Sequence, residues 1–223
     1  MGLQTFAMGF LSLLMAPVEA ASLLILPAFI TNLWQLFSGP DFGLLIKRLW
    51  VFLFFIFLGT LIGVGFLTAS HSRWPGLALG VTLASYAAIS LFSPQFSMSR
   101  QREKKWGAWV GWITGLITGA TGIFVVPAVP FIGSLELTKD EMIQALGLSF
   151  TISTLSLAVG LGFSVQWVQA DVLFSALAIV PSLFGMYLGQ KFRGAMSPVF
   201  FRKVFFVVLL FLGLYMFFYN IKN

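Results

Sequence analysis

Neutral polar side chains inside apolar segments are the residues of this sequence best suited to bind a ligand. Asn32 and Gln35 lie three residues apart, so on a helix their amides share one face. A second apolar segment, residues 141–163, is rich in hydroxyls: Ser149, Thr151, Ser153, Thr154 and Ser156. Such donors can hold an oxyanion without a fixed cation, as a helix N-terminus does. The hydroxyls taken singly are better explained by hydrogen bonds between helices, whereas Asn32 with Gln35 indicates a site.

The stretch 111–130 carries the backbone features of a transport site. It contains four glycines and two prolines: Gly111, Gly115, Gly119, Gly122, Pro127 and Pro130. Glycines four apart give a smooth face for close packing, and the prolines make a continuous helix past Gly122 unfavourable. Because irregular backbone in a membrane must be covered by protein or a polar cavity, a broken helix indicates a transport site. A kinked packing helix is the alternative.

In this stretch we expect the backbone N–H groups of Gly119, Thr121 and Gly122 to be freed and to face a cavity near mid-membrane. The amides of Asn32 and Gln35 would enter that cavity from the other half of the chain. The predicted substrate-binding residues are Asn32, Gln35, Gly119, Thr121, Gly122, Pro127, Ser149, Thr151 and Thr154.

Composition places the chain in a membrane. Hydrophobic residues make up 59% and charged residues 9%, with a mean hydropathy of +0.97, whereas a soluble domain carries about 25% charged residues. The sequence therefore predicts a multi-pass integral membrane protein, placed in the cell (inner) membrane. The net charge of +6 comes from cations in short loops between apolar spans, which favours membrane orientation over nucleic-acid binding.

The titratable residues argue against an enzyme. The single histidine, His71, lies in a loop beside Arg73, and no carboxylate lies in the middle of a span. Glu19 and Glu141 each fall in the first turn of a predicted helix, where capping is favoured over proton transfer. With no cysteine, thiol chemistry and zinc–thiolate sites are excluded. We expect no catalytic residue, no metal and no cofactor.

Seven apolar spans and one shorter segment are predicted. The short segment, residues 3–15, falls below the ~20 residues that a spanning helix needs. The spans are 20–37 (broken by Pro27), 49–69, 76–92, 106–131 (broken), 141–163, 172–190 and 204–219. If the basic linker 93–105 is cytoplasmic, this count puts the acidic turn 133–140 outside. The basic turn 191–203 then also falls outside, against the rule that cytoplasmic loops are basic.

Two halves of the chain match in order. A shift of 122 residues places Glu19 on Glu141 and Thr31 on Ser153, and a shift of 126 places Gly59 on Gly185. The match predicts an all-α polytopic membrane protein of two related halves, each with about four helical segments, and with broken or re-entrant segments near mid-membrane. The halves are residues 1–92 and 106–223, joined by the linker 93–105.

Residues 106–122 have no counterpart in the first half. Either the repeat is asymmetric, or the first repeat lacks its opening glycine-rich helix, and we favour the second interpretation. Residues 3–15 should then not cross the membrane. They should pack in the first half where residues 123–133 pack in the second.

These motifs resemble the sulfite exporter TauE/SafE family. The resemblance lies in Leu26-Pro27 followed by Thr31-Asn32-Leu33-Trp34-Gln35, in the block 115–122 running to Val126-Pro127, and in 181–189. It covers nearly the whole chain, although Ile123-Phe124-Val125-Val126 stands where the family usually has more glycine. The family implies duplicated four-helix halves and export of small sulfur-containing or organic anions.

We therefore expect a permease that moves a small anion, such as sulfite or an organosulfonate, outward across the lipid bilayer. The alternative is a membrane assembly or interaction protein whose glycine faces serve packing alone. A polar cavity near mid-membrane between the halves would favour the permease, and a dry interior would favour the alternative.

Overall fold

The computed structural model describes residues 3–39, 41–68, 73–92, 98–162, 169–195 and 198–222, and these ranges contain helices and turns without strands. The helices are α1 (Leu3–Leu11), α2 (Pro17–Leu36), α3 (Phe42–Leu67), α4 (Trp74–Phe92), α5 (Arg100–Thr121), α6 (Ala128–Ser134), α7 (Lys139–Gly162), α8 (Gln169–Leu177), α9 (Ile179–Ala195) and α10 (Pro198–Lys222). Five are long and apolar enough to cross a membrane: Pro17–Leu36, Phe42–Leu67, Trp74–Leu91, Lys139–Gly162 and Lys203–Lys222. The prediction of an all-helical polytopic membrane protein is confirmed.

The helices α2 and α7, which carry Glu19 and Glu141 in the first turn, begin in the same way. At the start of α2, the Ala16 N–H donates to Glu19 Oε2 at 3.0 Å, and Pro17 occupies the first turn, where its missing N–H has no cost. At the start of α7, the Thr138 N–H donates to Glu141 Oε2 at 2.7 Å. Each carboxylate satisfies an N–H that the helix leaves without a partner. The capping expected of both acids is confirmed.

The expectation that Pro27 breaks its span is wrong, because α2 continues through it. Hydroxyls bond to the backbone on either side of the proline. Thr31 Oγ1 donates to the carbonyl of Pro27 at 2.9 Å, and the Leu26 N–H donates to Ser175 Oγ of α8 at 3.2 Å. Side chains of neighbouring helices and turns often re-satisfy backbone groups around a proline in a membrane helix.

A glycine interface joins α3 to α5, as the spacing of the glycines predicted. A Cβ built on Gly63 would lie 2.6 Å from the carbonyl oxygen of Leu116, and one on Gly59 would lie 2.7 Å from that of Trp112. On α5, a Cβ at Gly115 would lie 2.8 Å from the Thr60 nitrogen. No side chain fits at these distances, so the glycines allow the two backbones to touch. Close packing thus accounts for most of the strip.

The break after α5 turns the chain back to the end from which it came. Gly122 adopts the left-handed conformation, with φ of 71°, and ends the helix. After residues 123–127, α6 runs back along α5, and the Met98 N–H donates to the Ser134 carbonyl at 2.8 Å. The Phe131 and Phe52 rings meet at 5.0 Å beside the N-terminal part of α5. The segment 122–134 is therefore re-entrant.

This return corrects the predicted topology. The turn 133–140 lies at the same end of the bundle as the start of α5, and not at the opposite end, because residues 106–131 do not form a single crossing. The helices that follow this turn therefore cross the membrane in the direction opposite to the predicted one. Since α10 packs antiparallel to α4, with the Tyr86 and Phe206 rings 5.3 Å apart, α10 starts at that same end, and α9 stops two residues before it.

The loops and helix ends that carry two or more basic residues are thereby brought to one end of the bundle, here called the basic end. It holds most of the 13 lysines and arginines: Lys47, Arg48, Arg100, Arg102, Lys104, Lys105, Lys139, Lys191, Arg193, Arg202 and Lys203. Arg73 and Lys222 belong to the other end. The conflict with the charge rule came from treating the broken stretch as a crossing, and it disappears with the re-entrant segment.

The contacts between helices follow the order of the predicted halves. If the halves are related, α2 corresponds to α7, α3 to α8 and α1 to α6. Helix α3 packs on α7, and its counterpart α8 packs on α2. Likewise α6 packs on α7, and its counterpart α1 packs on α2. α1 is nine residues long, too short to span, as expected. These paired contacts support the duplication, which stays a prediction. One predicted span, 172–190, is interrupted at Ala178, where Pro181 removes the N–H that would bond back to Leu177.

Single cysteines test the re-entrant segment in this cysteine-free chain. Lys104→Cys and Glu136→Cys, both at exposed positions, should react with a membrane-impermeant maleimide added to the same side. Arg73→Cys should react only from the other side. Labelling of sealed inside-out and right-side-out vesicles, quantified by mass shift, reads this directly. If Glu136→Cys reacts together with Arg73→Cys, the segment crosses the membrane and the topology is wrong.

Candidate functional site

A cavity of about 70 Å³ opens where α1, α2, α7 and α9 meet. That space exceeds the 10–15 Å³ that one water needs, so it can hold several waters or a small anion. Its wall combines apolar and neutral polar side chains: Gln4, Ala7, Leu24, Pro27, Ala28, Thr31, Asn32, Gln35, Phe150 and Ser182. No charged side chain among the described residues lines it. The cavity contains the two amides that the sequence singled out.

Asn32 is fixed at the centre of the α2–α7 crossing. Its side chain is buried, and Nδ2 donates to Thr154 Oγ1 at 3.2 Å. Thr154 in turn donates to the carbonyl of Phe150 at 2.8 Å. This chain of bonds uses one amide hydrogen and leaves Asn32 a second N–H. Two predicted site residues from different halves are thus brought into contact, 122 positions apart.

Gln35 lies one helical turn beyond Asn32 on the same wall of the cavity. Its Oε1 atom is buried and has no hydrogen-bond partner among the described residues. A buried polar atom without a partner costs about 1–3 kcal/mol, and it requires an explanation such as a bound water or ligand. Four buried hydroxyls share this property, but Gln35 is the one such residue that lines the cavity: the others are Ser12, Thr60, Thr114 and Ser153.

Three polar lining residues were not predicted as site residues. Thr31 donates to its own helix, so only its oxygen lone pairs remain available to the cavity. Gln4 comes from α1, and Ser182 from the first turn of α9. Ser182 lies within residues 181–189, one of the motifs that resemble the family, so the sequence contained a signal that could have pointed to it. Nothing in the sequence pattern around Gln4 indicated its position.

The broken stretch does not line the cavity. Gly122 packs against Met8 and Ala21, since a Cβ built on it would lie 3.1 Å from the Met8 methyl carbon and 3.3 Å from the Ala21 Cβ. Pro127, whose peptide bond to Val126 is cis, precedes the first residue of α6. The structure therefore brings neither of these predicted residues to the Asn32–Gln35 wall.

The expectation of freed N–H groups in this stretch is wrong. The Gly122 N–H donates to the Thr118 carbonyl at 2.8 Å, and Gly119 and Thr121 lie inside α5. The C-terminal end of a helix leaves carbonyls without partners, and its N–H groups remain bonded. Two hydroxyls bond to the backbone of Ile123, just past the helix end. Thr118 Oγ1 donates to the Ile123 carbonyl, and Thr121 Oγ1 accepts from the Ile123 N–H, each at 3.3 Å.

The remaining predicted residues bond within their own helices or pack on a neighbour. Gly119 packs against Gly63 of α3, with no space for a side chain. Ser149 Oγ donates to the Leu146 carbonyl at 3.0 Å, and Thr151 Oγ1 to the Gly147 carbonyl at 2.7 Å. Their hydroxyls are satisfied, which agrees with the structural explanation of single hydroxyls in membrane helices.

A second, larger crevice of about 430 Å³ lies between α3, α4 and α5. Apart from Thr82 and Thr121 its wall is apolar, and the Thr121 hydroxyl already donates to Ile117. The crevice therefore offers an anion almost no donor despite its size. Among the described cavities, the smaller polar one is the better candidate.

Two other buried polar groups have structural roles. Gln144 Nε2 donates to the carbonyls of Leu36 and Gly39, and its Oε1 accepts from the Asp41 N–H at 2.9 Å, which ties α7 to the α2–α3 turn. At the basic end, Arg48 and Glu103 form a two-pronged ion pair of 2.8 and 2.9 Å between α3 and α5. Within the described ranges no cluster of His, Asp and Glu could hold a metal ion.

The family profile described as sulfite exporter TauE/SafE matches residues 1–216 of the 223. The chain belongs to this family. Membership implies transport of an anion such as sulfite across a membrane, and with the five apolar helices it identifies a multi-pass TauE/SafE membrane protein. None of the curated proteins and none of the solved structures matches the chain significantly.

The two buried glutamines should respond in opposite ways to loss of the amide. Gln144→Leu removes three hydrogen bonds and leaves backbone groups unpaired, so it should destabilise the protein by about 2 kcal/mol or more. Gln35→Leu removes an oxygen that has no partner, and should leave the melting temperature unchanged or raise it. Thermal denaturation in detergent compares them. A large loss of stability in Gln35→Leu would show that its amide has a structural partner.

Proposed function

We propose that this TauE/SafE protein is a permease that exports a small oxyanion, such as sulfite or an organosulfonate, across the cell membrane. The cavity between α1, α2, α7 and α9 is its binding site. The single observation that carries the assignment is Gln35 Oε1, buried without a partner beside Asn32 in a cavity of neutral donors. Natural sequences retain such a cost where function requires it.

The chemistry of the cavity suits an exported anion. The N–H groups of Gln35 and Asn32 and the Ser182 hydroxyl can donate to the oxygens of a compact anion, while Gln35 Oε1 can accept from water or from a protonated oxyanion. Without a fixed cation the anion is held weakly enough to leave, which transport requires. The residues proposed to contact it are Asn32, Gln35, Gln4 and Ser182.

The orientation in the membrane follows from the charge distribution. Cytoplasmic loops are enriched in lysine and arginine, so we assign the basic end to the cytoplasm and the end that holds Arg73 to the outside. The alternative function, a membrane assembly protein without a transport path, predicts a dry interior. The polar cavity and the family favour the permease.

Transport by purified protein in sealed vesicles tests the assignment. Wild-type protein should accumulate radiolabelled sulfite down an imposed gradient, and Gln35→Leu should lower the initial rate at least about tenfold, since a hydrogen bond to a charged group contributes about 1.5–3 kcal/mol. Asn32→Leu should raise the KM for sulfite.

The matched control is Ser22→Ala, which lies on the same helix. The Ser22 hydroxyl donates to the Val18 carbonyl at 3.0 Å and lies outside the cavity, so this variant should transport at the wild-type rate. Equal rates for wild-type protein and Gln35→Leu, at equal protein content, would remove the cavity from the mechanism. No uptake by the wild-type protein would favour the assembly function.

A further inference from the structure

Among the described residues, Phe150 is the one aromatic side chain in the wall of the cavity. It projects from α7, is 2% exposed, and its own carbonyl accepts the Thr154 hydroxyl that is bonded to Asn32. The opposite wall, on α2, has the small residue Ala28 at the position that the 122-residue shift matches with Phe150. The ring therefore decides how far the cavity extends towards α7.

The Phe150 ring packs against Phe124 of the broken stretch. Its centroid lies 5.1 Å from that of Phe124, at an interplanar angle of 51°. Phe124 is 4% exposed and belongs to the irregular segment between Gly122 and Pro127, which does not itself line the cavity. Rings at this separation attract one another beyond the burial of their surface. The segment thus contacts the cavity wall through one aromatic pair.

We propose that Phe150 sets the size limit of the transported anion, and that the broken stretch acts on the site by positioning Phe150 through Phe124. This inference rests on the proposed function and names its substrate class: compact oxyanions that fit a space of about 70 Å³, as against anions with an added carboxylate arm. Phe150 is a specificity-determining residue and Phe124 a positioning residue.

The physical basis is the rigidity of a packed interior. Cores do not collapse fully when a ring is removed, so replacing Phe150 by a smaller residue leaves space next to Asn32 and Gln35. Apolar pockets discriminate added groups by factors of about 10–200. A larger anion should gain from the new space, while a compact one gains nothing.

The test compares the transport of sulfite and sulfoacetate in vesicles containing Phe150→Ala, with Phe150→Leu as a milder second variant. The ratio of kcat/KM for sulfoacetate to that for sulfite should rise about tenfold in Phe150→Ala and less in Phe150→Leu. Phe124→Leu should shift the ratio in the same direction, because it releases the ring. A purely structural role would lower both rates together and leave the ratio unchanged.

The control is a second buried aromatic pair. Phe131 of α6 and Phe52 of α3 lie 5.0 Å apart and neither lines the cavity, so Phe131→Leu should cost similar stability with an unchanged ratio. An unchanged ratio in both Phe150 variants, or an equal rise in Phe131→Leu, overturns the inference. Failure of the wild-type protein to transport either anion overturns the proposed function instead.

Discussion

Backbone groups inside a bilayer need partners within the protein, and the way this chain meets that constraint after α5 determines the rest of its topology. Gly122 takes a left-handed conformation, and the hydroxyls of Thr118 and Thr121 bond to the backbone of Ile123. The chain can then leave the helix and return to its starting end as α6. Because of that return, the loops and helix ends that carry two or more basic residues lie at one end, and α7 enters antiparallel to α2.

The α2–α7 crossing shows how sparingly polar groups are used. Most hydroxyls bond to their own helix, Gln144 binds the α2–α3 turn, and Asn32 binds Thr154. Gln35 departs from this pattern in the one polar cavity, where its oxygen has no partner. A transport site between repeats is expected at such a crossing. The described polar groups of the cavity are all neutral, which is consistent with an anion that must be released as well as bound.

The sequence predicted the helical class, the break at Gly122, both acid caps and the pairing of Asn32 with Gln35, because each depends on local chemistry at fixed spacing. It predicted broken or re-entrant segments but counted residues 106–131 as one crossing, since glycine and proline end a helix without specifying the direction of the chain that follows. Nor could it show that Gly119 packs against α3 while Gln35 lines a cavity, because that depends on which helix covers each face. Because the broken stretch was counted as one span, every later loop was predicted on the wrong side of the membrane.

The most direct measurement is protection of the cavity by an anion. Thr31→Cys places the only thiol of the chain in the cavity wall, at a residue whose hydroxyl serves only its own helix. Maleimide labelling of this cysteine in membranes should slow several-fold when methanesulfonate, a compact organosulfonate, is present and return when the anion is removed. Labelling of Ser99→Cys, exposed at the basic end, should not change. Unchanged labelling of Thr31→Cys at saturating anion would contradict the account.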